Sequence, residues 1–112
     1  FRFTIEDIFE IEMNRSLSQI LVNNLLKNAI VHGDGGKIIE IVIEANLFSV
    51  CNQSKEIPLD KYKIFDRFYK GSDSSVHSGL GLALVKAICD SYLLDLNYQY
   101  KEGHIFTVSK KI

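Results

Sequence analysis

Residues 16–32, SLSQILVNNLLKNAIVH, constrain the fold more than any other stretch of this chain. Ser16 followed by Gln19 predicts a capping-box helix start, in which each side chain satisfies a backbone N–H of the other. Gly33 predicts the stop, because glycine tolerates the left-handed conformation that closes many helices. Apolar residues lie almost all round the helix between them, so it is expected to be largely buried. At 3.6 residues per turn, Asn24 and Asn28 share a face with Leu17, Leu21 and Val31, whereas Gln19, Asn23 and Lys27 fall on a wet edge. Two carboxamides therefore sit on a core-facing stripe. An amide buried without partners costs a few kcal/mol, roughly 1–3 by protein measurements. Either protein groups satisfy these two, or a polar ligand or a metal–phosphate complex lies along the helix.

The rest of the chain is read by period. Residues 1–12 hold two short alternating pieces, Phe3 with Ile5 and then Phe9 with Ile11, which predict two strands. Opening directly on a strand suggests a fragment of a longer protein. Residues 33–37, GDGGK, precede a strand and lack the ending of a P-loop, so they read as a turn. Residues 37–44 and 47–51 predict a hairpin, with Ile39, Ile41 and Ile43 on one face of its first strand. A polar loop over 52–58 and a short helix over 59–65 follow, and Phe65 and Phe68 read as an aromatic cluster closing over the core. Residues 70–78, KGSDSSVHS, read as a mobile loop. It ends in Ser78-Gly79-Leu80-Gly81, before a helix predicted over 82–92 with Leu82, Val85, Ile88 and Cys89 on its apolar face. Bare backbone N–H groups at such a helix start suit an anion. Strands over 94–100 and 104–109 close a second hairpin. The order predicts an α+β fold, a two-layer sandwich with a mixed, mainly antiparallel sheet and helices on one face.

Composition narrows the partners. The 112 residues suffice for one domain, and a net charge of −1 without a basic stripe argues against nucleic acid. No apolar run reaches the roughly 18 residues of a bilayer span, and no signal-peptide pattern is visible. Cys51 and Cys89 fit no metal spacing and read as reduced core thiols of a cytoplasmic chain. His32, His77 and His104 form no metal-binding pair.

Four motifs occur in a telling order: NLLKNA (24–29), Val50-Cys51-Asn52, FDRFYKG (65–71) and SGLGLALVKAICD (78–90). Together they resemble the catalytic ATP-binding domain of two-component sensor histidine kinases. Its Bergerat-type, or GHKL, superfamily also includes type II topoisomerases, MutL mismatch-repair proteins and the ninety-kilodalton heat-shock chaperones. The resemblance covers nearly the whole chain, and FDRFY points to the kinase branch. It implies magnesium and ATP as cofactors. Asn28 would coordinate the magnesium bridging the ATP phosphates, and Asn24 would contact the phosphates. His32, and less so Lys27, would lie near them. Phe65 and Phe68 would support a lid, Arg67 would reach a phosphate or a partner helix, and Gly79, Leu80 and Gly81 would form the glycine box. The implied reaction transfers the γ-phosphate to a histidine on a dimerisation domain, with a response-regulator receiver domain as indirect partner and no membrane contact by this domain. No side chain here is required as nucleophile.

The chain departs from the pattern in two places. The family usually carries Asp-x-Gly-x-Gly after its middle strand, where the aspartate accepts from the adenine amino group. Residues 52–56 here read NQSKE, so Asn52 would be a neutral acceptor. His77 stands where a first glycine is common, and the lid over 70–78 is short. A degenerate regulatory module of the same fold, or a protein serine kinase or ATPase of the same superfamily, are the rival readings.

Overall fold

A computed structural model describes residues 2–32, 38–53, 63–65 and 81–111, with the backbone alone for His32. The amide-bearing stretch forms helix α1, Arg15–His32. Its cap is Asn14, whose Oδ1 accepts the Leu17 N–H at 3.1 Å. The predicted Ser16–Gln19 start is thus corrected, since Ser16 lies inside the first turn. Asparagine caps as well as serine does. The Asn14 N–H donates to Tyr92 Oη at 3.1 Å, so the site of capping is held from the far end of the chain. Burial of α1 is also one-sided. Leu21, Leu25, Asn28 and Ala29 are buried, whereas Ile20, Val22 and Ile30 are exposed, which corrects the expectation of burial nearly all round.

Five strands form one sheet in the order β1-β2-β3-β5-β4. They are β1 Arg2–Ile5, β2 Ile39–Ile43, β3 Leu47–Gln53, β4 Leu94–Tyr100 and β5 Gly103–Lys110. β1 pairs with β2 in parallel, and every other pairing is antiparallel. The parallel pair needs a crossover, and α1 provides it. No second strand forms around Phe9 and Ile11. The Asp7 carboxylate accepts the Ile8 N–H at 2.7 Å and turns the chain. Phe9 instead packs edge-on against Phe48, ring centres 5.4 Å apart, with the Lys110 ammonium 5.3 Å from its ring.

β3 runs two residues further than the sequence predicts. Asn52 and Gln53, read above as the start of a polar loop, pair with His104 and Gly103 of β5. Alternation then places Val50 and Asn52 on the inner face and Ser49 and Cys51 on the outer one. Ser49 Oγ and Thr107 Oγ1 meet there at 2.9 Å.

Helix α2, Gly81–Ser91, buries Val85, Ile88 and Cys89 and turns outward a Lys86–Asp90 ion pair of 2.8 Å. α1 packs on α2, and both lie on the inner face of β3, β5 and β4. Leu21, Leu25, Val85, Ile88, Val50 and Val108 share one core, into which Ile64 also inserts. Residues 63–65 form a turn, while 59–62 of the predicted short helix lie outside the described residues. The expected α+β sandwich, with helices on one face of a mixed sheet, is the fold observed. Among the described residues, no helix is long and apolar enough to cross a membrane. Both cysteines are free. Cys89 is a core thiol, whereas Cys51 is half-buried on the outer face, so only one of them fits the reading as core thiols.

Candidate functional site

The inner face of α1 ends in polar groups where a core would ordinarily continue. Asn28 is 8% exposed, and its Oδ1 has no hydrogen-bond partner among the described residues. One turn earlier, Asn24 commits its Nδ2 to the Ile20 carbonyl at 2.7 Å. Its oxygen faces α2. A Cβ built on Gly81 would lie 2.7 Å from Asn24 Oδ1, so the first residue of α2 lies directly against the Asn24 side chain. No acidic residue occupies the first turn of α2 to offset its positive end. The arrangement thus sets the Asn24 oxygen beside a helix start with a bare first residue, with the buried Asn28 oxygen one turn further along α1.

Asn28 supplies what a hard cation takes. A neutral, buried amide oxygen with unused lone pairs suits magnesium, and an unpaired polar atom is costly unless something fills it. The residues present therefore fit a metal-bound polyphosphate at the start of α2. Among the described residues, no group of three or more His, Cys, Asp or Glu could hold a metal.

Asn52 lies at the sheet side of α1 and is 4% exposed. Its Nδ2 donates to the Ala29 carbonyl at 3.2 Å, and its Oδ1 accepts the His104 N–H at 3.1 Å. His104 is buried, with Nδ1 2.7 Å from Tyr98 Oη and its ring against those of Tyr98 and Tyr100. Sequence reading passed over this polar interior. A signal existed, because His104 alternates in phase with the inward-facing Phe106 and Val108. Phe65 packs edge-on against Phe106 at 6.3 Å, which joins it to the core as the aromatic cluster requires. Lys27 is exposed on the wet edge of α1. Of the remaining candidates, Arg67, Phe68, Gly79, Leu80 and the side chain of His32 lie outside the described residues.

Residues 13–112 match the family described as histidine kinase-, DNA gyrase B-, and HSP90-like ATPase, and the chain belongs to that family. A curated relative, the heme sensor protein HssS of Staphylococcus aureus, is 32% identical over 99 residues, covering 84% of this chain and 22% of HssS. The chain thus spans about a fifth of the length of that relative. The mycobacterial sensor histidine kinase MprB shares the fold at a TM-score of 0.81 and 21% identity, covering 99% of this chain and 82% of that one. Full-length ShkA, solved in complex with AMPPNP, shares it at 0.80 and 17% identity, covering 97% of this chain and 24% of ShkA. The fold is that of histidine-kinase catalytic domains, and ATP is the nucleotide of the family.

Proposed function

We propose that this chain binds magnesium–ATP between α1 and the start of α2 and directs the γ-phosphate to a histidine elsewhere in its parent protein. The buried Asn28 oxygen, without a hydrogen-bond partner among the described residues, carries this reading. Asn28 would hold magnesium, which supplies neutralisation of phosphate charge when bound. Asn24 would take phosphate contacts with the backbone of Gly79, Leu80 and Gly81. Asn52 would stand at the base side, Phe65 and Phe68 would support the lid, and Arg67 and His32 would lie towards the phosphates. The chain's contribution is positioning and charge stabilisation, with no protein nucleophile of its own. The phosphoacceptor would belong to a dimerisation domain of the parent, and a response regulator would receive the phosphoryl group next. A cytoplasmic location follows from the need for ATP. This chain is then one catalytic domain of a larger sensor kinase.

Calorimetric titration with ATP, with magnesium and with EDTA, tests the reading on the 112-residue chain. Saturable binding that magnesium strengthens, and that Asn28→Ala reduces roughly 10-fold or more, is the expected result. A folded chain that does not bind ATP at millimolar concentration makes the degenerate module the better account.

A further inference from the structure

Asn52 does more inside the fold than a base contact requires. α1 ends at His32, so the carbonyl of Ala29 lies in the last turn of the helix. Asn52 Nδ2 donates to it at 3.2 Å. The other end of the same amide accepts the His104 N–H of β5 at 3.1 Å. The anchor on β5 is itself fixed, since Tyr98 Oη lies 2.7 Å from His104 Nδ1. The strands also close tightly here. A Cβ on Gly103 would fall 1.8 Å from the Asn52 carbonyl oxygen, so no other residue fits opposite. A carboxylate could take the His104 N–H but could not donate to Ala29.

We infer that Asn52 is a positioning residue. By tying the Ala29 carbonyl to the His104 N–H, it fixes the last turn of α1 and with it the direction of the adjoining Asn28 oxygen. The inference rests on the magnesium–ATP reading above. It assigns to Asn52 a role that an aspartate at the same place could not fill.

Asn52→Asp separates the two roles because they predict opposite signs. It restores the carboxylate that the resembling family usually carries towards adenine, yet sets an acceptor against the Ala29 carbonyl. ATP affinity is measured by calorimetry with magnesium and with EDTA for wild type, Asn52→Asp and Asn52→Leu, which removes the donor without adding charge. Urea midpoints report stability separately. The expected result is a loss of roughly 10-fold or more in the magnesium-dependent gain in affinity, with little change in EDTA. A merely structural role would lower the urea midpoint and leave that gain intact in the folded variants, which overturns the inference. Tighter ATP binding by Asn52→Asp in both conditions also overturns it, in favour of a base contact alone. If wild type shows no magnesium-dependent binding, the underlying reading falls and this one with it. Should neither variant fold, NMR of the wild type decides: slow solvent exchange of an Asn52 Nδ2 proton supports the tether, and rapid exchange overturns it.

Discussion

The two halves of the sheet are built from the same kinds of residue and meet opposite fates. Under α1 and α2, the inner faces of β3, β5 and β4 are closed: Val50, Leu94, Phe106 and Val108 are all buried. At the other edge, β1 carries Phe3 and Ile5 at 59% and 64% exposure. Between that edge and α1 lies an apolar cavity of about 410 Å³, with Phe3, Ile43 and Phe48 on the sheet side and Val22 and Leu26 on the helix side. Hydrophobicity alone therefore does not decide burial here. The helices decide it, because a strand is dry only where a helix lies over it. The candidate site belongs to the covered half, where packing can hold two amides in fixed directions.

The contrast can be broken at its strongest point. Leu25 is fully buried between the layers, and Leu25→Ala is expected to cost about 2–5 kcal/mol, read as a lowered urea midpoint. The two cysteines sharpen the same contrast by chemistry. Burial, with Asp90 beside it, pushes the Cys89 thiol up from 9.0 to about 11. Burial, then Glu40, raises Cys51 as well. A folded pKa above the unfolded one stabilises the fold below the unfolded value and is lost as pH rises through the folded value. For Cys89 that loss, roughly 2–3 kcal/mol, falls between about pH 9 and pH 11, and Cys89→Ala removes this slope from a series of urea titrations. Next in size is the helix cap, where Asn14→Ala is expected to cost about 1 kcal/mol. At the open edge, Ile5→Ala is expected to change stability by about 0.5 kcal/mol or less. A loss at Ile5 as large as that at Leu25 would show that something in solution covers β1.

The covered half was the legible one. The 3.6-residue period of α2 and the two-residue period of β4 and β5 located these elements within a residue or two, because both patterns record a single buried face. The Asn24–Asn28 pair stood out for the complementary reason, as polar groups placed where the period demands apolar ones. What escaped depended on distant partners. Sequence reading offered only Ser16 as the cap, whereas in the structure Asn14 caps α1 and its N–H donates to Tyr92, a residue 78 positions away. Asn52 opens the polar run NQSKE and reads as loop, yet β5 holds it in a strand. The strand expected around Phe9 failed because Asp7 turns the chain and Phe48 and Lys110 take up the ring.

The parallel pairing of β1 with β2 has a consequence for the order of assembly. β4 and β5 close across a two-residue turn, whereas β1 reaches its partner only after the whole of α1 has been laid down between them. Closing that longer loop costs more chain entropy before any contact repays it. β1 is thus expected to be the last strand to join the sheet and the first to leave it. Its amide protons are expected to exchange through local fraying and those of β5 only on unfolding, which hydrogen-exchange measurement checks.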